Sequence, residues 1–424
     1  MRHLMDFARR PTSINVVVNT GGSVLNVLFG ALIHFLLFRI MNPVEYGVMT
    51  IWLSLAYVLS AMLDFGTTAT IYGYLPPMLA ERKKELYNFL KSLITYQGIL
   101  GVISAIILVL MFPLIDNLFL KTGASESLMI ATIIAILLFI IQNFTINLLY
   151  ASKDFMRANI FINLSNLLKI LVLLALIPLK MTNTTTIFSV ITIGGTLFFF
   201  VPVILLKGDV LIKLWRATLT RRAIKLRYTF TYLLATQIFN LGQRMDLFLL
   251  SYFGLQVDAG YYAASQKILL SIASAIISVT QVLSPQFSHI KNRHEFGSIA
   301  KQSLLYLSGP AFIFFLLIFT PQSLFGLYLE KFAQASTLAR QLAPAFIIYA
   351  FANFPLLFLL YTVKKPGAIL VANVTFFLSM TIGCYTLIPT MHLAAIAPVV
   401  TVSITLATMI LCIYSIYEYR AIKT

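Results

Sequence analysis

Basic residues recur in every second gap between long apolar segments, and that alternation constrains the fold more than any single motif. The 424 residues are 59% hydrophobic and 11% charged, yet the formal net charge is +17. Apolar runs of about 20 residues span a bilayer as helices, because lipid leaves each segment to satisfy its own backbone polar groups. Loops rich in Lys and Arg stay on the cytoplasmic side. Together the two rules give a topology before any motif is read.

About twelve spans are predicted: 14–38, 46–74, 90–113, 128–150, 158–179, 185–206, 228–253, 259–286, 303–320, 338–362, 367–388 and 393–417. One set of loops carries Arg9 and Arg10, Arg82-Lys83-Lys84, the basic run from Lys207 to Arg227, Lys291 and Arg293, Lys364-Lys365, Arg420 and Lys423. The other set holds only Arg39, Lys121, Lys180, Lys331 and Arg340. An even number of helices with both termini cytoplasmic follows. A basic chain of this size invites a nucleic-acid reading. Here the charge borders lipid-length segments, where anionic headgroups are sufficient partners, so no nucleic acid is expected.

The first apolar run ends in Arg39-Ile40-Met41-Asn42-Pro43 without a small-residue cleavage site, and reads as a permanent span rather than a signal peptide. Cys384 and Cys412 fall in apolar segments and read as buried thiols. The His residues form no ligand pattern, so no metal site is expected. Loops are short, which places any chemistry inside the helix bundle.

The basic stretch 207–227 divides the chain into an N-lobe (1–206, six spans) and a C-lobe (228–424, six spans), with the stretch itself as a cytoplasmic linker. The halves resemble each other faintly. Val44-Glu45-Tyr46-Gly47 opens the second span and Val257-Asp258-Ala259-Gly260 opens the eighth. Six spans per half make the repeat parallel rather than inverted, and transporters are commonly built this way.

Polar residues inside spans face a partner or a watery cavity. The eighth span carries Lys267, Ser271, Ser274, Ser278 and Gln281 along one helical face, and the second carries Thr50, Ser54, Tyr57, Asp64 and Thr68. Asn26 in the first span, Gln237 and Asn240 in the seventh, and Asn163 with Asn166 in the fifth extend the pattern. Helix packing accounts for the Ser and Asn residues taken singly. It accounts less well for Lys169, Arg244 and Lys267, because a charge at depth costs at least roughly 2.5–3.5 kcal/mol. Cations on such stripes suggest a hydrated lumen holding something anionic. Arg39, at a span end, is suited to snorkelling to the headgroups. Two acids are also deep. Asp246 and Arg244 are two residues apart and do not share a helix face, so Asp246 is expected to find a partner on another helix. Asp64 is a candidate counter-ion or a proton- or cation-coupling group. Pro202, Pro310, Pro344, Pro355 and Pro398 are expected to kink or loosen their helices.

The six-plus-six arrangement, Asn42-Pro43-Val44-Glu45-Tyr46-Gly47, Leu63-Asp64-Phe65-Gly66, and Arg244-Met245-Asp246-Leu247-Phe248-Leu249-Leu250 followed by Gly254, Gly260, Tyr261 and Tyr262 resemble polysaccharide flippases of the Wzx type. These belong to the multidrug/oligosaccharidyl-lipid/polysaccharide (MOP) exporter superfamily. The resemblance implies an all-α membrane protein of the MATE-like fold, with about twelve helices in two lobes around a central cavity that opens alternately to each side. It implies translocation of undecaprenyl-pyrophosphate-linked oligosaccharide, of the kind used for O-antigen, across the bacterial inner membrane. Polymerase and glycosyltransferase machinery become candidate partners.

A cationic lumen suits that substrate, since Arg and Lys both bind phosphate. Arg244, Lys267, Lys169 and Arg39 are the expected contacts to the pyrophosphate and sugar head. Asn26, Tyr57, Gln237, Asn240, Ser271, Ser274, Ser278 and Gln281 are the expected cavity lining. Asp64 and Asp246 are the candidate coupling or counter-ion residues, with H+ or Na+ as the ion and no other cofactor. Three alternatives stand beside this reading. A drug/cation antiporter of the same superfamily would favour an acidic cavity. A membrane polysaccharide polymerase or ligase would need a sizeable outer loop or a catalytic cluster there. A passive channel would need a selectivity filter. A transporter rather than an enzyme is expected.

Overall fold

The computed structural model describes residues 11–65, 67–68, 71, 75, 78–79, 85–152, 154–219, 237–287, 290, 292–323, 330–363 and 365–421. The side chains of residues 11–20, 207–211, 278, 281–282, 285, 330, 366 and 421 lie outside that description. The described residues are helical and contain no strand. In chain order the main helices are α1 Pro11–Ile40, α2 Pro43–Met62, α3 Leu86–Ile115, α4 Glu126–Ala151, α5 Phe155–Leu176 and α6 Gly195–Arg216. They continue as α7 Met245–Tyr252, α8 Gln256–Phe287, α9 Arg293–Phe319, α10 Ala333–Leu357, α11 Pro366–Met391 and α12 Ile396–Ala421. Among the described residues nine stretches are long and apolar enough to cross a membrane, and one of these, Gly367–Arg420, is folded as the two helices α11 and α12. The chain is a multi-pass all-α membrane protein.

Helix starts follow local chemistry. At α2, Asn42 Oδ1 accepts the Glu45 amide at 2.9 Å while Glu45 Oε2 accepts the Asn42 amide at 3.2 Å, a reciprocal capping box with Pro43 as first helical residue. Much of Asn42-Pro43-Val44-Glu45 is therefore helix-start chemistry. Ser125 caps α4 and Asn292 caps α9 through the amides of Leu128 and Glu295.

The predicted span boundaries need three corrections. The second span is not one helix. α2 stops at Met62, the chain turns with Phe65 at φ 46°, and helix resumes at Thr67. The polar face from Thr50 to Thr68 is interrupted there. The seventh span is also broken, at Gln243-Arg244, between helical residues 237–242 and α7. Thirdly, the basic stretch 207–227 is helical as far as Arg216, within α6. The prolines act unevenly. Pro355 precedes a π turn at Phe358–Thr362, whereas Pro202, Pro310 and Pro344 lie inside continuous α-helices. Pro398 falls in the first turn of α12, where the missing amide breaks no helical bond.

The chain forms two compact units. The first comprises Met1–Ile40, Trp52–Asn117 and Gly123–Leu234; the second comprises Met41–Ile51, Leu118–Thr122 and Ala235–Thr424. In the first unit α1 packs on α5, α3 on α4, and α5 on α6. Its core includes Phe89, Leu93 and Phe144 in one cluster and Phe161, Phe199 and Val203 in another. In the second unit α8, α9 and α12 each pack on α10, and α11 packs on α12. Leu283, Phe287, Phe358 and Ala372 are buried together there.

Candidate functional site

In the second unit, a cavity of about 400 Å³ lies among residues of α7, α8, α10, α11, α12 and the segment before α7. Arg244, Asp246, Tyr262, Gln266, Asn353 and Asn373 are among its polar lining, and Phe239, Phe346, Phe376 and Met380 among its apolar lining. Arg244 reaches it because the seventh span breaks at that residue. Its φ of −124° and ψ of −6° are not helical, and the next residue begins α7.

A hydrogen-bonded chain runs from this arginine to a buried acid. Arg244 Nη1 donates to Gln266 Oε1 at 3.1 Å, Gln266 Nε2 donates to the Tyr262 hydroxyl at 2.6 Å, and that hydroxyl donates to Asp246 Oδ2. The other carboxylate oxygen accepts the Leu247 amide at 2.6 Å. Asp246 thus finds its partner on another helix, as expected, and the partner is a tyrosine. With Asp246 satisfied by Tyr262 and Leu247, the Arg244 guanidinium makes no ion pair with it.

Lys267, on α8, belongs to the adjoining face and does not line the cavity. Its ammonium has no hydrogen-bond partner among the described residues, and it is close enough to Arg244 for the two charges to repel. Two ion pairs join described residues, Arg157–Asp154 and Lys365–Glu418, and neither takes Arg244, Lys267 or Lys169. Arg244 and Lys267 are thus two basic groups in membrane-spanning segments whose charges act on each other, Asp246 lies near enough to attract Arg244, and neither basic group is bonded to a carboxylate.

Lys169 belongs to the first unit. Its ammonium donates to Asn166 Oδ1 at 3.0 Å, and Asn166 Nδ2 donates to Asn26 Oδ1 at 2.6 Å. Asn163 Nδ2 bonds the Gly22 carbonyl at 3.0 Å, and Ser165 bonds that of Gly195 at 2.6 Å. The asparagine stripe therefore ties α5 to α1. Arg39 is exposed at the end of α1, with its guanidinium 5.1 Å from the Phe35 ring centroid.

The residues expected to line a cavity make the following contacts. Tyr57 stacks on Phe139 with ring centroids 4.8 Å apart. Asn240 donates to Gln237 at 3.2 Å. Ser271 and Ser274 bond carbonyls of their own helix, at Lys267 and Ser271. The side chains of Ser278 and Gln281 lie outside the described residues. Gln266, Asn353 and Asn373 face the cavity but carry no charge that would single them out in sequence. Gln266 had one usable signal: it follows Tyr262 by four residues and so shares its helix face. Among the described residues no cluster of three or more His, Cys, Asp or Glu could hold a metal ion. Asp64 accepts from Thr67, Thr68 and Gln97.

These features define a multi-pass membrane protein of the MOP fold. The chain belongs to the polysaccharide biosynthesis protein family, whose sequence profile matches residues 14–291. No curated protein matches it by sequence. Among solved structures it is similar to the lipid II flippase MurJ in an inward closed conformation, at 15% identity and a TM-score of 0.74, over 95% of this chain and 87% of that one. It is also similar to a multidrug resistance MATE family transporter in its inward-facing conformation, at 14% identity and a TM-score of 0.66, over 96% and 98% of the two chains. A MOP superfamily transporter from Pyrococcus furiosus shares 14% identity, with a TM-score of 0.64 over 97% and 96%.

Proposed function

We propose that this protein is a flippase that moves a lipid-linked oligosaccharide across the bacterial inner membrane, with Arg244 and Lys267 engaging the anionic phosphate of its head. The observation that carries the reading is the presence of two basic side chains in membrane-spanning segments, Arg244 at the cavity and Lys267 on the same helix as its lining residue Gln266, neither in an ion pair among the described residues. An isolated charge there is expensive, and an anionic substrate group passing through supplies the missing partner. Undecaprenyl pyrophosphate fits that chemistry: the pyrophosphate takes the charge-assisted bonds while the prenyl chain stays in lipid. Family membership in polysaccharide biosynthesis and the fold shared with a lipid II flippase support the same direction. Lys169, held by neutral Asn166, is a further contact in this reading, and Arg39 a peripheral one. Both termini lie in the cytoplasm, and glycosyltransferases and a polymerase act before and after the transfer.

The test is complementation of a strain lacking its own O-antigen flippase, scored by surface polysaccharide and by the glycolipid that accumulates without transfer. Wild type restores surface polysaccharide; Arg244→Ala with Lys267→Ala does not. Full activity of the double variant would remove this pair from the site.

A drug/cation antiporter is the second reading, favoured by the MATE-type fold and by Asp246 at the cavity. Asp246 is already bonded to Tyr262 and Leu247, while Arg244 beside it repels a cationic drug. Drug efflux from vesicles separates the two.

A further inference from the structure

We propose that the cavity inside the second unit binds one long-chain fatty carboxylate, with its head on Arg244 and its tail along α8. The proposal does not rest on the flippase reading. It adds a second occupant of Arg244, one that would exclude the substrate phosphate.

The cavity is drawn out along the helices, charged at one end and apolar beyond it. Its α8 lining runs from Tyr262 and Gln266 through Leu270 and Ala273 to Ile277. Steps of three or four residues keep these on one helix face, and at about 1.5 Å per residue that face is about 22 Å long. Arg244 and Asp246 are bonded to its first members, Gln266 and Tyr262. At the far end the lining includes Leu356, Ile369, Ala372 and Leu411, which belong to or pack against the buried cluster of Leu283 and Phe287. That end runs into packed apolar side chains.

The two ends select the ligand. A guanidinium carries several N–H donors in a planar fork, and the one hydrogen bond that Arg244 makes among the described residues goes to Gln266. Asp246 is already bonded by the Tyr262 hydroxyl and the Leu247 amide, and Lys267 is close enough to add positive charge. Unused donors therefore remain at this end for an anion, and a carboxylate matches the fork bidentately. Further along, Leu270, Ala273, Ile277, Phe346 and Ile404 present only hydrocarbon. The donors of Asn353 and Thr408 are spent on carbonyls of their own helices, at Tyr349 and Ile404. That lining favours a hydrocarbon tail over sugar hydroxyls, and burial of the tail drives binding. Size narrows the choice. A volume of about 400 Å³ is near the small end of ligand sites, roughly 300–1,000 Å³, which suits one chain better than a two-chain phospholipid. A long polyprenyl chain outruns the α8 face.

The test is photolabelling of the purified full-length protein in phosphatidylcholine nanodiscs with a diazirine-bearing palmitate, read by mass spectrometry of the labelled peptides. Label is expected on cavity residues of α8, α10 and α12. Unlabelled palmitate should displace it, and hexadecanol, which has the tail without the charge, should not. Arg244→Ala is expected to lower the displaceable label about 10-fold or more, the value of a lost hydrogen bond to a charged group. Ala273→Phe fills the slot and is expected to abolish that label while Tm stays at or above wild type, as cavity filling does. The wild-type label map decides the matter should either variant fail to fold. Label confined to outward positions such as Ile106 of α3 and Leu305 of α9 would overturn the proposal. So would equal displacement by hexadecanol, or label unchanged in folded Ala273→Phe. No substrate and no transport enter the measurement, so failure here leaves the flippase reading standing, and failed complementation leaves this site standing.

Discussion

Gly47 of α2 and Gly260 of α8 pack reciprocally, each against backbone of the other's helix. A Cβ on Gly47 would lie 2.3 Å from the Gln256 carbonyl oxygen, and one on Gly260 would lie 2.0 Å from the Pro43 carbonyl oxygen. Each glycine follows by four residues the carbonyl that the other glycine touches. The two glycines are those aligned by Val44-Glu45-Tyr46-Gly47 and Val257-Asp258-Ala259-Gly260. Because the opposing atoms are backbone, no side-chain rotation relieves a methyl group. Gly260→Ala is expected to destabilise by about 1–3 kcal/mol or more, as overpacking does, and Gly47→Ala comparably. Tm and yield of folded protein check this; wild-type stability of both variants would contradict the packing.

The Tyr262 hydroxyl is one of two donors to the buried Asp246 carboxylate. Tyr262→Phe leaves one carboxylate oxygen without that donor, at a cost of about 1–3 kcal/mol. Pairing it with Asp246→Asn removes the charge that needed the donor, so the double variant is expected to be more stable than the sum of the singles. A double-mutant cycle in Tm reads this coupling, and strict additivity would show that the two groups are independent.

Gly195 lies against the stem of Lys169, where a Cβ would fall 2.0 Å from Lys169 Cε. The atom in the way belongs to a flexible side chain, so Gly195→Ala is expected to fold and to displace the ammonium from Asn166. Complementation activity should fall while the loss of stability stays within about 1–3 kcal/mol, the range of overpacking in a buried site, so that the protein still folds. Unchanged activity would mean that the position of Lys169 does not matter to transport.

Much of this fold is legible in the sequence because lipid forces it. Apolar runs of spanning length must be helices, and the hydropathy pattern of α3, α4, α10 and α12 states them directly. The Asn42-Pro43-Val44-Glu45 start is legible for a different reason, since a capping box is a local device. The breaks at Phe65 and Arg244 were not legible. Polar residues and a glycine mark both places, Asp64-Phe65-Gly66-Thr67 and Gly242-Gln243-Arg244, but the segments around them are long enough to span without a break, and the left-handed φ of Phe65 falls on a residue that is neither glycine nor asparagine. The cations were visible as charges at depth. Their surroundings were not, because Gln266 and Tyr262 are neutral and their roles depend on which face of α8 meets α7. Ser271 and Ser274 keep the helical spacing read from the sequence, and their hydroxyls also bond carbonyls of their own helix.

Arg244→Ala and Lys267→Ala, made singly, are each expected to weaken substrate engagement by about 10- to 100-fold, the value of a lost hydrogen bond to a charged group. Arg244→Lys keeps the charge but loses the planar fork, and should fall between wild type and alanine. Transfer of a fluorescent lipid-linked oligosaccharide in proteoliposomes measures the series. Equal rates for Arg244→Lys and Arg244→Ala would mean that charge at that position contributes nothing.

The most direct measurement is equilibrium binding of undecaprenyl pyrophosphate to the purified protein in nanodiscs, comparing wild type with the Arg244→Ala, Lys267→Ala double variant. A rise in Kd on the order of 100-fold or more is expected if the two cations hold the phosphate head. A Kd unchanged by the double substitution, in protein that retains its Tm, would contradict the central claim.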